Sequence, residues 1–387
     1  MNKNKGVIMK EHNYRVIMSA GGTGGHIFPA LAVARAIKKI DHKTEILFVG
    51  AEGKMEMEKI PQAGFPIVGL KISGLRRKFS LKNLGLPFKV LSSLRKAGKV
   101  LNDFKPHVVA GFGGYASGPV LRKASTYRIP TILQEQNSYP GLTNRILAKK
   151  ATKIFVAYEK MERFFEASKI VLTGNPVRSM FLNMDVSKKQ GAEFFDLDPE
   201  KFTILAVGGS LGARTINESL CKIIPDLEEK DFQLIWQSGR HYAAQRCEAL
   251  GSVINEGFVV REFIKEMDMA YAAADIVISR AGAIAISELQ NVGKPVIFIP
   301  SPNVSEDHQT KNARALVEKE AAMLLPDSEA RERLKDFIFE LAEDEQKRKS
   351  LAANIKKMAY PDAADTIAEA IMNMAKERRE RNRNEHS

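Results

Sequence analysis

The chain has 387 residues, 44% hydrophobic and 27% charged, the balance of a globular protein, and it is too long for a single core, so two domains are expected. Its net charge of +13 calls for a polyanionic partner: nucleic acid, anionic lipid or a phosphorylated substrate. No run approaches the roughly 18 apolar residues of a bilayer span, and the basic first residues lack the apolar core of a signal peptide. Any membrane contact is therefore expected to be peripheral and on the cytoplasmic side. The two cysteines, Cys221 and Cys247, have no metal-ligand spacing, which suggests a reducing compartment and no disulfide framework.

In chain order, residues 14–18 form an apolar run that reads as a buried strand. Ser19-Ala20-Gly21-Gly22-Thr23-Gly24-Gly25-His26 follows, and then an Ala-rich helical stretch at 31–37. A strand, four glycines and a helix leave backbone N–H groups free at the positive end of a helix dipole, where an anion is attracted. The plainer alternative is a tight strand-to-helix turn. The spacing is not the dinucleotide fingerprint, because Ile27 occupies the place of the third glycine, and no Walker Gly-Lys-Ser/Thr is present.

Short β-rich runs follow at 44–49, 107–110, 131–133, 153–156 and 170–172, with helix-like stretches between them, the pattern of a parallel sheet covered on both faces. A second glycine cluster, containing Gly111, Gly113, Gly114 and Tyr115, again lies between a strand and a helix. Asn175-Pro176-Val177-Arg178 breaks the pattern and marks the crossing into a second domain. The alternation then restarts. The run at 202–207 leads into Gly208-Gly209-Ser210-Leu211-Gly212-Ala213-Arg214, and further strands are expected at 232–236, 275–278 and 295–299. Two doubly wound domains side by side would place these loops around a shared cleft.

Ser279-Arg280-Ala281-Gly282-Ala283-Ile284-Ala285-Ile286-Ser287-Glu288 is the last such junction. A carboxylate in the opening turns of that helix has the chemistry to accept both hydroxyls of a ribose, with a solvated Glu as the plainer alternative. From about residue 331 the chain reads as charged helix, and 376–381 as a solvated end fraying to a tail. Asp196-Leu197-Asp198 has the letters of a metal-binding motif, but Pro199 follows and the next strand begins at Phe202, so it reads as a turn.

The ordered set Gly-Gly-Thr-Gly-Gly-His-Ile-Phe-Pro-Ala, Gly-Phe-Gly-Gly-Tyr-Ala-Ser-Gly-Pro, Gln-Glu-Gln-Asn, Gly-Asn-Pro-Val-Arg, Gly-Gly-Ser-Leu-Gly-Ala-Arg and Ser-Arg-Ala-Gly-Ala-Ile-Ala-Ile-Ser-Glu resembles the MurG family of bacterial N-acetylglucosaminyltransferases, from about residue 14 to 315. The resemblance implies a GT-B fold: two Rossmann-like domains, 13–176 (completed by the C-terminal helix, 357–387) facing acceptor and membrane, and 177–356 binding the donor. It implies inverting transfer of GlcNAc from UDP-GlcNAc to the MurNAc C4 hydroxyl of lipid I, giving lipid II for peptidoglycan synthesis, and through it a part in cell shape and division. No metal or other cofactor is implied.

Donor contacts carried over by motif are Thr23, Gly24, Gly25, Asn137, Arg178, Ser210, Ile264, Ala283, Ile284, Ala285, Ile286, Ser287, Glu288 and Gln309. Gly111, Gly113, Gly114 and Tyr115 would form the acceptor and diphosphate loop. Leu211 stands where many members have Gln, and Gln134 where many have His, so those side chains carry no assigned role. The partners implied are UDP-GlcNAc, lipid I and the anionic inner leaflet, with room for other cell-wall synthesis proteins and none for nucleic acid.

His26 is the candidate general base: at a helix N-terminus the dipole disfavours imidazolium and keeps the ring neutral. An orienting or structural role is its alternative, and Glu135 is the runner-up base. A lipid-linked acceptor requires a membrane contact, for which Leu75-Arg76-Arg77-Lys78-Phe79 mixes three cations with two apolar side chains. In the following helix, Phe88, Leu91 and Leu94 read as an ordinary core stripe. Rival readings are a glycosyltransferase acting on diacylglycerol, a dinucleotide-dependent oxidoreductase, disfavoured by the missing glycine, and a nucleic-acid binder, disfavoured by scattered basic residues with no interleaved aromatics.

Overall fold

The computed structural model describes residues 13–72, 86–182, 184–209, 211–239, 257–304 and 307–384. The first sheet comprises β1 (Arg15–Ser19), β2 (Glu45–Ala51), β3 (Ile67–Leu70), β4 (Val108–Gly111), β5 (Thr131–Glu135), β6 (Lys153–Val156) and β7 (Ile170–Leu172), all parallel in the order β3-β2-β1-β4-β5-β6-β7. The second comprises β8 (Thr203–Val207), β9 (Gln233–Gln237), β10 (Phe258–Arg261), β11 (Ile276–Ser279), β12 (Val296–Phe298) and β13 (Met323–Leu324), parallel in the order β10-β9-β8-β11-β12-β13.

The central strands are apolar along their whole length because helices cover both faces. One face of the first sheet packs Val16, Met18, Phe48 and Ala110 against the helix Gly24–Ile40. The other packs Ile17, Val109 and Leu133 against the helices Leu86–Phe104, Ser117–Thr126 and Leu142–Ala148. The second domain repeats the arrangement, with Trp236 fully buried and its Nε1–H donating to Asn217 Oδ1 at 3.0 Å.

Each sheet reverses its winding once, between β1 and β4 and between β8 and β11. At such a reversal the connections leave in opposite directions and open a crevice at the strand C-termini. Ser19 pairs with Gly111 and Val207 with Ser279, so the loops after these four strands emerge side by side. These are the loops with the glycine clusters and the Ser279–Glu288 motif.

The last helix, Ala363–Asn384, returns to the first domain and buries Ile367, Ile371 and Met374 against the helix Gly24–Ile40. Its end is not a loose tail. Arg379 lies over the Tyr14 ring at 5.4 Å and Arg378 donates to the Arg128 carbonyl, two long-range contacts that a charge count does not register.

Three other expectations need correction. Strands β3, β10 and β13 were not anticipated, since runs of two to four residues carry little periodic signal. Cys221 is disulfide-bonded, where the spacing suggests no disulfide; Cys247 lies outside the described residues. In the helix Leu86–Phe104 the core stripe is Ala97 and Leu101, whereas Leu91 is 46% exposed and the Phe88 side chain lies outside the described residues. The membrane-contact residues Leu75, Arg76, Arg77, Lys78 and Phe79 also lie outside them.

Ile371→Ala should destabilise the first domain by about 2–5 kcal/mol, the cost of a large-to-small change in a closed core. Chemical denaturation followed by circular dichroism checks this.

Candidate active site

The helix Gly24–Ile40 starts directly after the first glycine loop, with Thr23 as an exposed N-cap whose side chain makes no capping bond. The helices Arg214–Glu229 and Ala283–Val292, which open from the loops after β8 and β11, likewise lack side-chain caps. By contrast, the helix Lys188–Phe194, away from the strand C-termini, carries a complete capping box from Ser187 and Gln190. The first N–H groups of any helix have no intrahelical acceptor, so three uncapped ends at the crevices present donors and positive dipole to whatever enters.

His26 is half-buried in the first turn. The Gly21 carbonyl accepts from its Nδ1–H at 2.8 Å, which leaves the lone pair on Nε2. Burial holds the imidazole below its ordinary 6.5; the Gly21 bond and the nearby Glu56 carboxylate push the other way, and His308 across the cleft adds to the lowering. The ring is therefore neutral at physiological pH and basic at one defined nitrogen.

The second glycine loop shapes this pocket. Gly113 has φ +96°, and a Cβ there would stand 2.7 Å from His26 Cδ2 and 2.8 Å from Nε2. Gly114, at φ +87°, would set a Cβ 2.4 Å from the Gly21 carbonyl oxygen. Only glycine allows the two loops to lie this close. Tyr115 is half exposed at the rim. Gly111 is different: it is buried at the end of β4, where a Cβ would press on Leu121 and Leu133.

The run after β5 ties the domains together. Gln134 Nε2–H donates to Asn175 Oδ1 at 2.8 Å, and Asn175 Nδ2–H donates to the Gln136 carbonyl and, across the cleft, to Ser287 Oγ, both at 3.1 Å. The fully buried Asn312, from the helix His308–Val317, accepts from the Ser138 N–H and hydroxyl at 3.0 and 2.9 Å and donates to Asn137 Oδ1 at 3.2 Å. Sequence reading missed Asn312, whose role appears only when two distant segments meet. Glu135 is spent on structure: its carboxylate accepts from the Asn137 N–H and Nδ2–H, the Gly141 N–H and Asn144 Nδ2–H. Burial raises its pKa in spite of these bonds. As a buried loop anchor it is a poor candidate base.

Arg178 and Glu288 pair within the second domain, Nε–H to Oε1 at 3.0 Å, and the Arg178 guanidinium also lies 4.6 Å from the Phe181 ring centre and 5.8 Å from that of Phe28 in the first domain. Burial pushes the Glu288 carboxyl up while Arg178 holds it down. Ala283 and Ala285 are half-exposed on the same helix, Ile284 is nearly buried, and Ser287 donates to the Ala283 carbonyl at 3.0 Å. The Ile286 side chain is wholly in the core, so only its main chain could meet a ligand.

Ile264 is fully buried and its N–H donates to Gln237 Oε1 at 3.0 Å. Beside it, Phe263 is 53% exposed, a flat apolar face that sequence reading passed over. Gln309 accepts from the Ser301 N–H at 2.8 Å. Ser210 lies outside the described residues. Asp196 and Asp198 lie before β8, at the end away from the cleft, in a turn where Asp198 Oδ1 accepts from the Glu200 N–H. Among the described residues no three His, Cys, Asp or Glu side chains cluster as a metal site.

The glycosyltransferase family 28 N-terminal domain matches residues 16–156, and the family's C-terminal domain matches residues 203–367. A UDP-N-acetylglucosamine--N-acetylmuramyl-(pentapeptide) pyrophosphoryl-undecaprenol N-acetylglucosamine transferase from Phocaeicola vulgatus is 51% identical, over 96% of this chain and 99% of its own. A protein of the same name from Flavobacterium psychrophilum is 52% identical, over 93% of this chain and 98% of its own. The crystal structure of MurG from Acinetobacter baumannii superposes with a TM-score of 0.74 at 29% identity, covering 93% of this chain and 99% of that one. The two facing parallel-sheet domains are the expected GT-B arrangement, and the chain belongs to the MurG family within glycosyltransferase family 28.

Proposed function

We propose that this chain transfers GlcNAc from UDP-GlcNAc to the C4 hydroxyl of MurNAc in lipid I, with inversion, forming lipid II. Its relatives' names carry the reaction. The observation that supports it in this chain is a neutral His26 with a free Nε2, set among uncapped helix ends from both domains.

In this reading the acceptor hydroxyl attacks the anomeric carbon as Nε2 of His26 takes its proton, and the bond from that carbon to the diphosphate oxygen breaks. The leaving UDP gains negative charge. Uncapped N–H groups at the helices Arg214–Glu229 and Ala283–Val292, with Thr23, Gly24 and Gly25 opposite, meet that charge with fixed dipoles that need no reorganisation. Glu288 accepts the ribose hydroxyls and Arg178, released from it, turns to the diphosphate. The Ile264 carbonyl reads the uracil edge and Phe263 covers the base. Asn137, Ser287 and Gln309 hold the frame around the sugar, and no metal enters the scheme.

The acceptor is lipid-linked, and exposed apolar side chains flanked by cations support a peripheral membrane face on the cytoplasmic side. Val90 and Leu91 lie on the helix Leu86–Phe104 beside Arg95 and Lys96. Leu142 and Ile146, 60% and 57% exposed and one helical turn apart, lie on the helix Leu142–Ala148 beside Arg145 and Lys149. Both helices cover the same face of the first sheet. The segment 75–79 adds three cations shortly before the first of these helices in sequence.

His26→Ala should lower kcat by about a hundredfold or more while UDP-GlcNAc affinity by calorimetry stays within a factor of about three; near-normal turnover removes the role. Gly113→Ala, which drives a methyl into the ring, should share that pattern. Because His26 is held below 6.5, log kcat/KM should be flat through neutral pH and fall with unit slope only below 6.5, where Nε2 becomes protonated. Reversing Arg76, Arg77 and Lys78 to Glu should weaken sedimentation with anionic vesicles by about a hundredfold or more, at roughly 1 kcal/mol per cation lost. A transfer assay offering lipid I and diacylglycerol should give product with the first alone.

A further inference from the structure

Glu56 opens the short helix Glu56–Gln62 after β2, and its side chain is completely buried. Both carboxylate oxygens are held by main chain: Oε1 accepts from the Ala51 N–H and Oε2 from the Gly22 N–H, each at 2.9 Å. The socket is built by missing side chains. A Cβ on Gly21 would lie 2.1 Å from Oε1, and one on Gly50 would lie 2.5 Å from Cγ. Two glycines from separate strand ends thus leave room for one buried carboxylate under the first glycine loop.

The Gly22 N–H belongs to the same amide as the Gly21 C=O, and that carbonyl is the acceptor for His26 Nδ1–H at 2.8 Å. One peptide group therefore has the imidazole at its oxygen and the carboxylate at its nitrogen. We propose that Glu56 is a positioning residue for the transfer reaction, acting on His26 through the Gly21–Gly22 amide. The inference rests on the reading of His26 as general base.

An amide whose N–H is bound by a carboxylate carries more negative charge on its oxygen, and hydrogen bonds in such a chain strengthen one another. The Gly21 oxygen then holds Nδ1–H more firmly, which fixes the tautomer and raises the basicity of Nε2. When Nε2 takes the proton of the acceptor hydroxyl, the imidazolium is stabilised through the same path. Nδ1 keeps its hydrogen throughout, and Glu56 keeps its two N–H donors and exchanges no proton. Among the described residues His308, from the opposite domain, also faces His26 and acts on its pKa in the direction opposite to Glu56. The arrangement does the work of an orienting carboxylate on a catalytic histidine with a peptide group interposed.

The test pairs Glu56→Gln with Glu56→Asp in the full-length protein. In Glu56→Gln, kcat should fall about tenfold, the difference between a charged and a neutral hydrogen-bond partner, with UDP-GlcNAc affinity unchanged. The acid limb of kcat/KM, and the titration of 13C-labelled His26 followed by NMR, should both move to lower pH. Glu56→Asp, which keeps the charge, should restore the titration toward that of the unaltered chain. A folded Glu56→Gln protein with normal donor affinity and an unmoved His26 titration overturns the proposal, even if kcat falls, because stitching the loop to β2 would then be its whole role. Should neither variant fold, 15N spectra of labelled histidine in the unaltered protein decide: the Nδ1–H tautomer is required, and an Nε2–H tautomer refutes the relay. If His26→Ala retains turnover, the base reading itself fails, a result separate from these.

Discussion

The register between two strand-order reversals is the constraint on which the rest depends. Each parallel sheet opens a crevice where its winding changes direction, and either crevice alone offers only half of a site. Two amide side chains bring the halves together. Asn175 spans from the β5 run to Ser287, and the fully buried Asn312 reaches from the second domain to Asn137 and Ser138. Bonds of this kind contribute modestly when made, yet an unpaired buried amide costs more than the bond gains, so the arrangement is selective for one relative placement. Lys311, 3.8 Å from the Tyr139 ring centre, adds a contact at the same seam.

Charge is arranged around that seam with equal economy. Arg178 and Glu288 neutralise one another, so neither is left as an unpaired, largely buried charge. On the first-domain side the negative group is Glu56, sunk beneath the glycine loop and facing main-chain N–H groups. The loop thus has two electrostatic layers: a carboxylate below, and a neutral imidazole with uncapped helix N–H groups above.

Much of this was legible in the sequence. The glycine clusters between strand and helix marked the crevice loops because such junctions demand small residues wherever the chain turns, and the alternation of β-rich and helical runs gave two doubly wound sheets. What stayed hidden was made by contacts between distant segments. Glu56 is separated from Gly22 by 34 positions and Asn312 from Ser138 by 174, and no local pattern distinguishes either from an ordinary helical polar residue. Gly111 sits in a glycine cluster, and its closeness to Leu121 and Leu133 is likewise visible only in the fold. Ile286 lies inside a genuine cleft motif yet points into the core, as the 3.6-residue period of its helix requires.

The account stands or falls on whether helix ends from both domains grip one ligand together. Hydrogen exchange of the full-length protein with and without UDP-GlcNAc measures this most directly, since it reads the main-chain N–H groups themselves. The account predicts slowed exchange at the first turns of the helices Gly24–Ile40, Arg214–Glu229 and Ala283–Val292 in the same titration. Protection confined to one domain, or absent from all three helix ends, would contradict it.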